Sequence, residues 1–470
     1  MGAVARPGAP TGRTRVEHDS LGEVRVPVAA LYGAQTQRAM ENYPISGLRA
    51  APEMIEGYGW LKWAMAGAHR EEKLLPARVA AAIQRAAREV AEHRHDAHFP
   101  VDVYQAGAGV SFHMNVNEVI ANRAAELLGG RRGLYDLVHP NDHVNLGQST
   151  NDTFPSAMRI ALRLGLDPLV VAVEAAAAAF AAKGREFAGV VKAGRTHLQD
   201  AVPMRLGQEF AAYGTTLGAA AAELRHAAEG LLELGLGGSA AGTGLNVHPG
   251  ATRRALRLLS QRTGHAWRQA RDLCAAMQSQ LPLAAASAAM RNLALELIRI
   301  GNDLRLLASG PMTGLHEIEL PALQPGSSIM PGKVNPVMPE MLAMAAFQAV
   351  GNDTATALAV QAGQLELNVM MPAMAYATLQ SAGVLRRAVE VFTARCVRGI
   401  RANRDRCAWY AHATPSLAAA LNPYLGYRRT TKLVQESLAT GRPVLELALE
   451  QKLLPAAQLR RLLDPVRASR

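Results

Sequence analysis

Residues 326–336 read G-S-S-I-M-P-G-K-V-N-P. Two glycines and two prolines in this stretch rule out a regular helix. Ser327, Ser328, Lys333 and Asn335 place two hydroxyls, an ammonium and an amide in one short loop. A donor-rich loop of this kind suits closure over an anion, although composition alone favours an ordinary polar loop between helices. Two other polar clusters stand out: Ser149, Thr150 and Asn151, and Thr196 with His197. Taken singly, Ser149 and Thr150 read as helix N-caps, Asn151 as a turn residue, His197 as a satisfied core histidine, and Glu340 as one end of a surface pair. Leu234–Ala240 reads L-G-L-G-G-S-A, a loose dinucleotide-like string. A helical segment precedes it where a strand is required, so it is expected to be a helix-to-helix turn.

Long helices are the elements expected to carry these residues. Between about residues 150 and 400, segments have few helix breakers and apolar spacing of three and four. Leu293, Leu297, Ile300, Leu304 and Leu307 form one stripe. Glu174–Phe187, Glu209–Leu234, Met338–Leu358 and Met374–Val397 complete about five helices. The pattern predicts a mainly α fold with a central five-helix bundle. The expected division is a disordered tail 1–13, an N-terminal mixed domain 14–147, the bundle 148–402 and a small C-terminal helical domain 403–470. Ala-rich stripes on more than one helix face predict burial against further copies of the chain.

The apolar mass is Ala, Leu and Val, and aromatic residues are only 5% of 470 residues, which favours packed helices over a sandwich or barrel. The net charge is +11, but the arginines are scattered and no basic run of five residues occurs, so no nucleic-acid partner is expected. Cys274, Cys396 and Cys407 are odd in number and lack ligand spacing, arguing against a disulfide framework and a zinc site. No signal peptide, transmembrane segment or organic-cofactor motif is read, which points to a cytoplasmic protein without a membrane partner.

The 326–336 string resembles the signature G-S-S-x-M-P-x-K-x-N-P of the fumarase/aspartase superfamily, which also includes argininosuccinate and adenylosuccinate lyases. The resemblance extends along most of the chain. Arg15–Gly47 resembles the start of fumarases and aspartases, and His139–Asp152 and Gly194–Pro203 match two further blocks. It implies a lyase that acts on a small dicarboxylate and forms fumarate by β-elimination. It also implies a homotetramer whose active sites are each built from three subunits, with no cofactor assigned.

Elimination across a succinate removes a very weakly acidic proton beside a carboxylate, so the site must stabilise an aci-dianion away from water. By resemblance Ser327 is the base, and Lys333 and Asn335 hold the carboxylate. Ser149, Thr150, Asn151 and Thr196 add donors. His197, paired with Glu340, stands near the leaving group. Val101–Gly109, Gln148–Thr150 and Ala362–Met370 resemble aspartase more than fumarase. Three positions depart from the pattern: Val110 replaces a threonine, His113 an asparagine, and Met371 an acidic residue. Loss of the hydroxyl at 110 removes a donor worth about 1.5–3 kcal/mol, and His113 is expected to replace it. The readings kept open are an aspartate ammonia-lyase, a lyase releasing nitrite from nitrosuccinate, a class II fumarase, and a non-catalytic structural family member.

Overall fold

The computed structural model describes residues 12–469; the sequence's expected tail falls almost wholly outside this range. Five helices dominate: Thr150–Glu186, Leu206–Glu229, Leu281–Leu307, Val337–Gln361 and Met371–Arg395. They answer to the five stretches read from apolar spacing. On Leu281–Leu307 the stripe Leu293, Leu297, Ile300 and Leu304 is fully buried or nearly so.

The helix ending at Glu186 begins far earlier than its Ala-rich part suggested. It runs through Pro155 and Pro168. Each proline removes one helical hydrogen bond, yet Met158, Ile160, Leu162, Leu166 and Leu169 around them are all fully buried. Burial of that many large side chains at about 1.5–3 kcal/mol each outweighs the lost bonds. The helix begins at Thr150 because Ser149 and Asp152 form a reciprocal cap. Ser149 Oγ accepts from Asn151 N, and Asp152 Oδ1 accepts from Ser149 N. This helix and Leu281–Leu307 are also long and apolar enough to span a membrane by composition, which corrects the expectation that no such segment exists. The first carries the buried Asp152 and Arg159, as a core helix does.

By internal contacts the chain divides into two compact units. The first comprises the described residues through Val170, Ala222–Asn292 and Phe347–Leu385. The second comprises Val171–Ala221, Leu293–Ala346 and the residues from Arg386 onward. The linear division at 147/148 and 402/403 follows sequence texture, whereas each unit gathers non-contiguous segments. Within the second unit, Leu417, Leu421, Leu433, Val444, Leu447 and Leu459 form a local core of short C-terminal helices.

The strands are few and short. Val191–Thr196 pairs antiparallel with Gln199–Arg205, ending in the pair Thr196 and Gln199. Glu233–Leu234 pairs parallel with Arg268–Gln269. The glycine-rich 234–240 segment therefore leaves a short strand, not a helix as expected, and the next helix begins only at Pro249.

Candidate active site

The Ser149–Asp152 turn is held from below. Asp152 is fully buried, and its second carboxylate oxygen accepts from Gly237 N at 3.0 Å and Ser239 N at 3.1 Å. Burial raises this carboxyl to about 6, against the pull of those amides and of Lys62. Asn151 Nδ2 donates to Ala240 O at 2.8 Å. The glycine-rich loop is thus a platform for the turn that carries Ser149, Thr150 and Asn151. Those three side chains stay partly open to solvent.

Val110 starts the Val110–Leu127 helix and is 41% exposed. The turn before it passes through left-handed Ala108 (φ 59°) and Gly109 (φ 85°). A Cβ on Gly109 would lie 2.1 Å from the Phe154 ring, so the position admits only glycine. Ala108 N donates to Val369 O at 2.8 Å. Two aspartase-like stretches, 101–109 and 362–370, therefore meet in the fold. Met371, the third departure, is fully buried at the start of its helix and packs in the core.

His113 departs from expectation. The sequence reading has it donating to a substrate carboxylate, but its ring is buried and both nitrogens are engaged within the chain. Nδ1 lies 2.6 Å from Thr150 Oγ1, and Nε2 lies 3.0 Å from Lys62 Nζ. Tyr58 stacks on the ring at 5.6 Å. Lys62 also donates to Asn145 Oδ1 and Gln148 Oε1. Burial pulls the Lys62 ammonium down to about 7, with Asp152 opposing the shift. Burial, then the Lys62 charge, holds His113 well below the ordinary histidine range, so the ring is neutral. Sequence reasoning missed Lys62 and Asp152. The available signal was a lone charge inside the apolar run Y-G-W-L-K-W-A-M-A.

The remaining candidates belong to the second unit. In the 326–336 loop, Ser327 Oγ accepts from Ile329 N at 3.2 Å and Met330 N at 3.0 Å. The loop is closed by Gly326 N donating to Lys333 O at 2.8 Å and Asn335 Nδ2 donating to Gly326 O at 2.7 Å. Lys333 is exposed. Two amides aimed at one serine oxygen are what an alkoxide requires.

Thr196 and His197 sit at the exposed tip of the 191–205 hairpin. His197 and Leu198 form its two-residue turn with φ of 57° and 60°. Such turns normally use Asn-Gly, and a leucine held there costs about 1 kcal/mol. Strain of this kind persists where the surroundings enforce it. They do so through ion pairs at the hairpin's base. Glu317, with no exposed surface, pairs with Lys192 at 3.0 Å and Arg195 at 2.9 Å, and Lys192 also pairs with Glu209 at 2.6 Å. Burial alone would lower the Lys192 ammonium, but the two carboxylates hold it above its ordinary value. Glu317→Ala is therefore expected to destabilise the fold by about 3 kcal/mol, read as a lowered thermal midpoint; a midpoint within one degree of the parent would remove this cluster as the hairpin's support. Glu340 lies in the first turn of Val337–Gln361. Among the described residues His197 and Glu340 share no hydrogen bond or ion pair, and His197 is exposed.

The family described as Lyase matches residues 22–351, and that described as Fumarase C C-terminus matches residues 417–467. Over 460 residues the chain is 46% identical to an aspartate ammonia-lyase of Pseudomonas aeruginosa, covering 97% of each chain. The chain belongs to the fumarase/aspartase superfamily of lyases. It is also 45% identical over 459 residues to a class II fumarate hydratase of Thermus thermophilus, covering 97% of this chain and 98% of that one. A solved fumarate lyase of Brucella melitensis, described as fumarate lyase:delta crystallin bound to cobalt, matches with a TM-score of 0.93 and 45% identity, over 97% of this chain and 99% of that one. The mainly α architecture is the superfamily's, and its enzymes act on small dicarboxylates.

Proposed function

We propose that the chain is an aspartate ammonia-lyase-like enzyme that works as a cytoplasmic homotetramer. It would expel ammonia from L-aspartate by anti elimination and release fumarate. The observation that carries the chemistry is the pair of loop amides on Ser327 Oγ. Ser327 as alkoxide takes the proton from Cβ. The electron pair moves onto the adjacent carboxylate, where Lys333 and Asn335 balance the aci-dianion. Collapse of that species breaks the Cα–N bond, and the His197–Glu340 pair of neighbouring chains stands near the departing nitrogen. Ser149, Thr150, Asn151 and Thr196 hold carboxylate oxygens. The choice of ammonia over water is supported by the Pseudomonas relative and by Gln148-Ser149-Thr150.

Assembly is supported by one face of the Val337–Gln361 helix. Met344 is 64%, Phe347 57% and Leu358 62% exposed, at helical spacing, on a helix whose other side is core. Apolar side chains exposed together on one face suit burial against another chain.

A second reading, release of nitrite from nitrosuccinate, is favoured by one observation. Val110 offers no hydroxyl at the mouth of its helix, where the family has a threonine. Incubation with L-aspartate, L-malate and nitrosuccinate separately, with fumarate followed by ultraviolet absorbance, decides among them. Fumarate from aspartate supports the proposal; fumarate from malate alone makes the chain a fumarase; fumarate from nitrosuccinate alone moves the leaving group to nitrite. No fumarate from any of the three would support the non-catalytic reading.

A further inference from the structure

Lys62 occupies an apolar stretch of the Pro52–Glu71 helix and is 1% exposed. Its three contacts, to Asn145 Oδ1 at 2.9 Å, Gln148 Oε1 at 3.0 Å and His113 Nε2 at 3.0 Å, use all three ammonium hydrogens. A second donor, Asn117 Nδ2, faces the same ring nitrogen at 3.1 Å. Thr153 Oγ1, 3.4 Å from it, gives its own hydrogen to Ser149 O. With the Lys62 ammonium and Asn117 Nδ2 both facing it, Nε2 of His113 is assigned as the acceptor. The neutral ring then carries its proton on Nδ1.

That proton points at Thr150 Oγ1, 2.6 Å away. The Thr150 oxygen accepts it, so the hydroxyl hydrogen is turned away from His113. Among the described residues no protein acceptor takes it. Thr150 is the first residue of the Thr150–Glu186 helix, where the free amides and the helix dipole favour an anion. Tyr58 stacked on the ring, at 15° between planes, keeps Nδ1 aimed at Thr150.

We propose that His113, fixed by Lys62, is a positioning residue that makes the Thr150 hydroxyl an obligate donor to a substrate carboxylate. The inference rests on the reading of Thr150 as a carboxylate contact. It gives His113 a role without contact to substrate. A threonine left to itself donates or accepts as its neighbours dictate. Here the direction is set before substrate arrives, which removes an ordering step on binding.

Two isosteres separate this role from simple packing. The side-chain amide of asparagine falls near the position of Nδ1, and that of glutamine near Nε2. His113→Asn retains a donor for Thr150 and gives up the Lys62 contact; His113→Gln does the reverse. Succinate, a non-reacting dicarboxylate, is the probe, its dissociation constant measured by calorimetry on the whole assembled protein and alongside KM for the turned-over substrate. His113→Asn is expected to stay within about twofold of the parent, and His113→Gln and His113→Leu to weaken succinate about tenfold. With Thr150→Val as background, His113→Leu is expected to add nothing. Equal losses in the Asn and Gln variants, or full additivity with Thr150→Val, would overturn the relay. If Thr150→Val itself leaves succinate binding unchanged, the assignment of Thr150 to the site fails instead. Should the leucine variant lose its assembly, the Asn–Gln pair decides alone.

Discussion

Ser327→Ala is expected to lower kcat by about 10²–10⁴-fold while succinate binds as in the parent protein. The substitution removes the one atom on which the Ile329 and Met330 amides converge. It leaves intact the bonds that shape the loop, Gly326 to Lys333 and Asn335 to Gly326. Geometry and binding should therefore survive loss of the base. A free serine hydroxyl is far too weak an acid to act at neutral pH, so the two amides and the Lys333 charge must supply the stabilisation of the alkoxide. Gly326 carries this arrangement structurally: a Cβ there would meet Lys333 O at 2.6 Å. Single-turnover fumarate formation checks the prediction. Activity above about a tenth of the parent's would pass the role of base to another group and make the amide pair an ordinary turn.

The features legible in the sequence were local ones. The 326–336 string needed only its own residues, because glycine and proline spacing and a family-specific order of donors are written along the chain. The five long helices were legible from three-and-four spacing. The start at Thr150 was not, because Pro155 and Pro168 break the local rule and only burial against distant residues restores it. The glycine-rich 234–240 segment reads as a turn between helices, but it leaves a short strand. Its purpose stayed hidden because Gly237 and Ser239 meet Asp152 across more than eighty residues of chain. His113 was visible as a departure, and its chemistry was misread for the same reason. Lys62, 51 residues away, engages one ring nitrogen and Thr150, 37 residues away, the other, so neither is left for substrate. Local patterning shows which residue is unusual; only tertiary contact shows what satisfies it.

Mixing two inactive variants is expected to restore activity. His197→Ala and Ser327→Ala should each be reduced by about a hundredfold or more. His197 stands exposed on its strained hairpin tip, and among the described residues it shares no hydrogen bond or ion pair with Glu340 or another acid. An unoriented imidazole is a poor partner for a leaving group, so the hairpin tip makes sense as a part completed by a second chain. The exposed Met344, Phe347 and Leu358 would offer an apolar surface to such an assembly. If each site takes His197 from one subunit and Ser327 from another, random reassembly leaves about one site in four with both groups intact. Co-expression of the two variants under different tags, followed by isolation of the doubly tagged oligomer, should give about a quarter of parental turnover. Activity no greater than either variant alone would place both groups in the same chain's site. The hairpin strain would then need a different explanation, since no neighbour would be there to use the imidazole it presents.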